Sequence, residues 1–333
     1  MDTESERTPL GKAVTKAVEA RRANPAAGFQ TIEVAARRGM TPLRAIFMGP
    51  PHIVLLDNGS LRPASVLALR ATATALAART GLGVTPVSLL HANKILPAEL
   101  GDAAAPIFEP WLKNQAEAGG RDFLVVPYFL GPSRALTEYL PARVEKLRML
   151  WPDLAVRLAA PLGAGPDGAA RLASVLEDRV RAELGRLPPG PERPAVAVVD
   201  HGSPEPKVAA VRDAVAAQLR LRLGAAVRAV APCSMERREG GEFAFSDPLL
   251  AALLARAPFD RGAVIVAMLF LSPGRHAGPE GDVATICSVA ESSAAALKVT
   301  MTELLGGHPA LVELLAERLA AAGAADQALS CPK

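Results

Sequence analysis

Short apolar runs alternate with helical patterns along most of the chain. Residues 195–200 (AVAVVD) are apolar and β-branched up to the final aspartate, which is typical of a strand buried on both faces. Ser203 and Pro204 then predict a helix start, because serine caps helices and proline fits the first turn. Strands alternating with helices favour parallel sheets with right-handed crossovers, so the pattern predicts small doubly wound α/β domains. The predicted elements are strand 53–57, helix 63–79, strand 84–89, helix 105–118, strand 123–130, helix 137–150, strand 154–159 and helix 168–186, then strand 195–200, helix 203–223, strand 227–231, helix 247–256, strand 263–271, helix 283–297, strand 299–301 and a helix from 309.

The chain contains an internal repeat. Residues 53–60 (IVLLDNGS) match 196–203 (VAVVDHGS) at an offset of 143, and 128–134 (YFLGPSR) match 269–275 (LFLSPGR) at an offset of 141. Three landmarks in the same order, the third being a Leu-Gly pair, indicate two similar halves. The predicted organisation is a flexible or helical extension 1–50, a first half 51–187, a Pro/Gly-rich linker 188–194, a second half 195–325 and a tail 326–333.

Composition narrows the class of protein. Half of the residues are hydrophobic, enough for a sizeable core, while a net charge of +3 and 4% aromatic residues argue against a nucleic-acid partner. The three cysteines form no CxxC pair, which indicates neither a disulfide framework nor a structural zinc site. The start of the chain has no secretory-type apolar stretch, and the longest apolar runs fall short of the roughly 20 residues that span a bilayer. We therefore expect a cytoplasmic protein with no membrane partner.

Two histidines are the main candidates for chemistry. His201 follows the first strand of the second half and His276 follows its third strand, so both belong to the carboxyl edge of one sheet, where ligands bind in such folds. Adjacent strands lie about 4.8 Å apart, and two such side chains can converge on one ion. Either histidine alone is more commonly a loop residue with local hydrogen bonds. Their counterparts in the first half, Asn58 and Ala135, suit neither metal binding nor proton transfer, which indicates one active and one degenerate half.

Other polar residues lie at the same predicted edge. Glu236 is a candidate carboxylate ligand or proton acceptor, whereas Cys233 is either a softer ligand or a packed thiol. Imidazole with carboxylate suits Fe²⁺, Co²⁺, Ni²⁺ or Zn²⁺ better than Mg²⁺. No nucleotide-binding or serine-hydrolase motif is found, so no nucleotide or organic cofactor is expected. Candidates for binding a polycarboxylate substrate, unless they form only a solvated rim, are Arg275, Arg134, Arg237 and Ser203.

At these residues the sequence resembles the class II tetrapyrrole chelatases, the sirohydrochlorin cobaltochelatase and ferrochelatase family. The resemblance is carried by residues 198–206 (VVDHGSPEP), 269–276 (LFLSPGRH) and 305–309 (LGGHP). It implies two similar doubly wound α/β domains, each with a four-stranded parallel sheet flanked by helices, and a tetrapyrrole cleft between them. It also implies that His201, His276 and a carboxylate such as Glu236 bind the metal substrate. Asp200 stands where the family commonly has glycine, and a longer loop after His276 leaves the family's acidic residue open between Glu280 and Asp282.

The resemblance implies insertion of a divalent metal, Co²⁺ or Fe²⁺, into a sirohydrochlorin-type tetrapyrrole, for cobalamin or siroheme biosynthesis. In this interpretation the catalytic residues are His201, His276 and Glu236, which hold the ion and accept protons from the macrocycle. The main alternative is a carrier or regulator that binds metal or tetrapyrrole without inserting one into the other. A sugar- or amino-acid-binding module is a third reading. Because the repeat can replace a homodimer of single halves, a monomer is favoured over a homodimer.

Overall fold

The computed structural model describes residues 51–190 and 192–324. The predicted extension 1–50 and the predicted tail 326–333 lie outside the described residues. None of the described helices is long and apolar enough to cross a membrane.

The first half contains a four-stranded, fully parallel sheet with strand order β2-β1-β3-β4. Its helices flank both faces of that sheet. A π-helical turn, Ala135–Tyr139, leads directly into the third helix. The elements are β1 His52–Asp57, α1 Pro63–Thr80, β2 Val84–Ser88, α2 Phe108–Glu117, β3 Asp122–Pro127, α3 Leu140–Arg148, β4 Ala155–Leu158 and α4 Gly165–Arg186.

The second half repeats this topology, with strand order β6-β5-β7-β8. Both sheets have four parallel strands with helices between them, so the predicted α/β fold class is confirmed. A 3₁₀ segment, Gly241–Ser246, lies between the second strand of this half and the helix that follows it. The elements are β5 Ala195–Asp200, α5 Pro206–Leu223, β6 Ala229–Ser234, α6 Leu250–Leu254, β7 Gly262–Met268, α7 Asp282–Ser293, β8 Leu297–Met301 and α8 Pro309–Ala324.

Three predicted helices in this half have wrong bounds; one of them, 283–297, ends at Ser293. Helix α5 begins at Pro206 with Glu205 as its N-cap, while the Ser203 hydroxyl accepts a hydrogen bond from the Glu205 amide at 3.1 Å and forms a turn. The predicted helix 247–256 is reduced to α6, Leu250–Leu254. Prolines follow Asp247 and Ala257 in the sequence, and a residue before proline is disfavoured in the helical conformation.

Alternate residues of each central strand face different cores. In β5, Val196 and Val198 belong to an inner apolar cluster, whereas Ala197 and Val199 belong to an outer one. The inner cluster contains residues of both halves, and each sheet contributes the side chains of one of its faces to it. Each sheet is therefore buried on both faces, which explains the uninterrupted apolar runs in its strands.

The last helix of each half packs on the sheet of the other half. Helix α4 of the first half contacts β7, and helix α8 of the second half contacts β3 and α1. Arg318 on α8 donates hydrogen bonds to the carbonyls of Leu162, at 3.0 Å, and Ala164, at 2.6 Å. The Tyr128 hydroxyl donates to the Leu271 carbonyl at 3.2 Å. The inner face of each sheet is thus completed by the other half.

Candidate metal-binding site

Three candidate side chains meet at the carboxyl edge of the second sheet. His201 directly follows β5, Glu236 lies two residues beyond β6, and His276 lies in the loop after β7. The ring centroids of the two histidines are 4.5 Å apart, with the ring planes inclined by 53°. His201 Nε2 lies 3.2 Å from Glu236 Oε1. Since the three loops leave adjacent parallel strands, the strand order β6-β5-β7 places these residues side by side.

The His201 and Glu236 loops are held together through Gly202. The Glu236 amide donates to the His201 carbonyl at 3.2 Å. Gly202 has φ +95°, and a Cβ atom there would lie 1.9 Å from the Glu236 carbonyl oxygen. Only glycine fits this backbone and this approach. The Gly in the His-Gly-Ser sequence therefore allows the two loops to approach this closely.

Both ring nitrogens of His201 face acceptors. Nδ1 lies 3.0 Å from the Gly202 carbonyl oxygen, and Nε2 faces the Glu236 carboxylate. With Nδ1–H donating to Gly202, the contact between Nε2 and Glu236 requires either a second proton or a cation. This pair can therefore exchange a proton for a metal ion.

His276 is oriented by Asp282, the first residue of α7. Its Nδ1 lies 2.6 Å from Asp282 Oδ2. A carboxylate on one ring nitrogen fixes the tautomer and directs the lone pair of the other nitrogen, here Nε2, towards a metal. The sequence left the acidic residue of this loop open; the structure brings Asp282 to His276, whereas Glu280 lines a shallow depression along α7 together with Ser288.

Buried polar groups lie beneath His201. Asp200, which ends β5, accepts hydrogen bonds from the Ser234 hydroxyl at 2.7 Å and from the Gly202 amide at 3.1 Å. Burial raises the pKa of the Asp200 carboxyl, opposed by the Ser234 hydrogen bond and by the charge of Arg212, whose Nη1 lies 3.8 Å away. Sequence reasoning missed Arg212, although an arginine on the apolar face of a helix was a usable signal.

The site consists of two imidazole–carboxylate pairs and not of one closed cage. The described part of the chain contains no group of three or more His, Cys, Asp or Glu side chains arranged to hold a metal ion. The His201, Glu236 and His276 side chains are 47%, 59% and 29% exposed, so an ion and a larger molecule can approach them from solvent. Open, partly exposed ligands are typical of transient metal binding.

The remaining candidates differ in their surroundings. Arg275 is 76% exposed and lies 3.6 Å from Asp282, which leaves most of its guanidinium open to a ligand. Arg134, from the first half, pairs with Glu205 of the second half at 2.8 Å. Arg237 is engaged by Asp247 at 3.0 Å, and Ser203 by the turn described above. Cys233 is fully buried, and its thiol donates to a β5 carbonyl, so it serves packing and not metal binding.

The first half keeps the backbone of the site without its ligands. The Leu90 amide donates to the Asn58 carbonyl at 3.2 Å, as Glu236 does to His201, and a Cβ on Gly59 would lie 1.7 Å from the Leu90 carbonyl oxygen. Leu90 is therefore the counterpart of Glu236, a correspondence that sequence comparison missed because the loops after the second strands differ. Asn58, Leu90 and Ala135 stand at the three positions, so none of the three offers an imidazole or carboxylate ligand.

The chain is similar to known proteins over both halves. A family model described as CbiX matches residues 52–183 and again residues 195–322, which confirms the resemblance seen in the sequence. The structure of SirB from Bacillus subtilis with Fe³⁺ is similar at 15% identity, with a TM-score of 0.57, over 83% of this chain and 96% of that chain. The sirohydrochlorin chelatase SirB from Bacillus subtilis subspecies spizizenii in complex with cobalt is similar at 14% identity, with a TM-score of 0.58, over the same shares. These two show a shared fold, while no curated protein matches the chain.

Proposed function

The chain belongs to the CbiX family, and on that premise we propose that it inserts Co²⁺ or Fe²⁺ into a sirohydrochlorin-type tetrapyrrole. The observation that carries the proposal is the meeting of His201 and His276, 4.5 Å apart, with a carboxylate beside each ring. Either metal suits imidazole and carboxylate ligands. The SirB structures, which share this fold, were obtained with iron and with cobalt. The product would serve siroheme or cobalamin biosynthesis.

In the binding step, His276 and His201 present their Nε2 atoms to the metal substrate. Asp282 keeps the proton of His276 on Nδ1, and the Gly202 carbonyl does the same for His201. The metal replaces the proton between His201 Nε2 and the Glu236 carboxylate, so Glu236 is available as a third ligand. Because the site is open on the solvent side, the remaining coordination positions are filled by water, which leaves as the macrocycle nitrogens bind.

In the transfer step, the macrocycle releases two N–H protons for each divalent ion that it accepts. Imidazole nitrogens that lose the metal have a free lone pair and can accept these protons. His201 takes up one proton at Nε2 and shares it with Glu236, and His276 takes up the other at Nε2 and passes it to water, which restores the starting arrangement. Arg275 binds a peripheral carboxylate of the substrate; Arg134 contributes from the first half if it leaves Glu205.

The test is metal insertion followed by the absorbance of sirohydrochlorin with Co²⁺ or Fe²⁺. We expect the double variant His201→Ala and His276→Ala to insert metal no faster than the reaction without protein. The matched control is His52→Ala with His91→Asn, which removes two exposed histidines of the first half. Undiminished insertion by the first variant would refute the mechanism. Wild-type protein that binds Co²⁺ or sirohydrochlorin but shows no turnover would instead establish the carrier function.

A further inference from the structure

Arg212 on α5 is a buried charge that the mechanism above does not use. Its side chain is only 2% exposed, in the helix that follows the His201 loop. A buried guanidinium is costly unless its donors are satisfied. Its Nη1 donates to the Ser234 hydroxyl and to the Ser246 carbonyl, its Nη2 to the Phe245 carbonyl at 2.9 Å, and its Nε to the Asp213 carboxylate at 2.9 Å.

These contacts connect Arg212 to both loops that carry the His201–Glu236 pair. Through Ser234 and Asp200 it reaches the end of β5 and the Gly202 amide, next to His201. Through the carbonyls of Phe245 and Ser246 it holds the far end of the segment that begins at Glu236. The guanidinium is planar and its donors have fixed directions, so it sets the spacing of its acceptors.

The first half provides a comparison within the same molecule. The position twelve residues after Asp57 is Leu69, as Arg212 is twelve residues after Asp200, and both side chains are buried in the helix after the first strand. The first half keeps the aspartate and the same amide-to-carbonyl contact, from Leu90 to Asn58, although it has no arginine at this position. In the first half the neighbouring Arg70 holds the segment after β2 through the carbonyls of Leu100, at 2.7 Å, and Ala103, at 2.6 Å. Among the described residues, the link from a guanidinium through Ser234 to the buried aspartate is found only in the half that carries the histidine and glutamate ligands.

We propose that Arg212 is a positioning residue for metal binding: through Asp200, Ser234 and the 245–246 carbonyls it fixes the His201–Glu236 distance. This rests on the proposed function. Loss of a group that orients a ligand typically reduces metal affinity or activity by about 10- to 100-fold. The Arg212→Leu variant places the residue found at the equivalent buried position of the first half, Leu69, in the second half, so the helix can accommodate it while the two ligand loops lose their common support.

The experiment compares Arg212→Leu with Arg157→Leu in the full chain. Arg157 is a matched control because it is also buried, 7% exposed, and pairs with Asp122 at 2.9 Å in the first half, away from the ligands. We expect Arg212→Leu to weaken Co²⁺ binding, measured from the Co²⁺ absorption bands without tetrapyrrole, about tenfold or more. The KM for Co²⁺ should rise while the KM for sirohydrochlorin stays unchanged, and Arg212→Lys should recover part of the affinity. The control should bind Co²⁺ like wild type.

The outcomes separate this proposal from the proposed function. Suppose that wild type binds and inserts Co²⁺. If folded Arg212→Leu then binds and inserts Co²⁺ as well as wild type, or as well as Arg157→Leu, Arg212 is only structural and this proposal is overturned. The same holds if Arg212→Leu is unfolded by circular dichroism and folded Arg212→Lys binds Co²⁺ like wild type. If wild type neither binds nor inserts the metal, the proposed function is wrong and this proposal falls with it.

Discussion

Replacing Asp57 with asparagine should stabilise the protein at neutral pH and have little effect near pH 4. Asp57 ends β1 and is 7% exposed. Its Oδ1 atom is buried and accepts no hydrogen bond from any residue that the structure describes. Burial raises the pKa of Asp57 from 3.8 to about 6, against the hydrogen bonds from Ser88 and the Gly59 amide, which lower it. The second half meets the same problem with Arg212, whereas the first half has Leu69 there.

The size and sign of the effect follow from this pKa. A carboxyl whose folded-state pKa lies above its unfolded value favours folding while it is protonated, and that contribution is lost as the pH rises through about 6. Raising the pKa from 3.8 to about 6 corresponds to about 3 kcal/mol of unfolding free energy, the full difference being reached above pH 6. Asparagine resembles the protonated carboxyl and remains neutral, so Asp57→Asn avoids this loss.

The assay is urea denaturation of wild type and Asp57→Asn at about pH 4 and about pH 8. We expect Asp57→Asn to be more stable than wild type at the higher pH by up to about 3 kcal/mol, with most of this difference absent at the lower pH. Asp102→Asn is the matched control, because Asp102 is exposed and its φ of +61° suits asparagine equally well. An equal difference between Asp57→Asn and wild type at both pH values would refute the reasoning.

Two further predictions test the site and the packing of the halves. Asp282→Asn keeps a hydrogen-bond acceptor for His276 but removes the negative charge of the carboxylate, so kcat/KM for Co²⁺ should fall by about tenfold. Glu280→Gln should leave kcat/KM unchanged, and equal effects of the two substitutions would contradict the assignment of Asp282. Leu315→Ala on α8 should cost about 2–5 kcal/mol, since the side chain is fully buried in the inner core. Both tryptophans lie in the first half, and their fluorescence transition should shift as far as the far-ultraviolet circular dichroism; an unchanged fluorescence transition would show that the halves unfold independently.

The sequence was sufficient for the sheets because their signal is local. A buried parallel strand requires a continuous apolar run, so 195–200 coincided with β5. The ends of the helices were less predictable. Ser203 followed by Pro204 has the composition of a helix start, but the helix begins only at Pro206, because the Ser203 hydroxyl accepts a hydrogen bond within a turn. The length of α6 was overestimated, since apolar residues continue beyond the segment that is helical.

The candidate site was predictable as far as strand ends determine it. His201, Glu236 and His276 each follow a neighbouring strand, and the topology brings such residues to one edge. The pairing of carboxylates with rings depends on loop conformation, so the sequence could not choose between Glu280 and Asp282. The position of Arg212 among apolar helix residues was visible in the sequence, but its role was not predictable, because its partners come from separate segments that only the tertiary structure brings together.

The exchange of α4 and α8 between the halves makes the chain comparable to a dimer whose subunits have been tethered head to tail. In such an assembly the core and the edge loops are constrained differently. Core side chains of one copy pack against those of the other, so a substitution in one copy alters the packing of both. The ligand positions of the edge loops lie outside this shared core, and one set of ligands is enough. That explains how His201 could be matched by Asn58 while the strand end and the glycine next to each of them stayed the same.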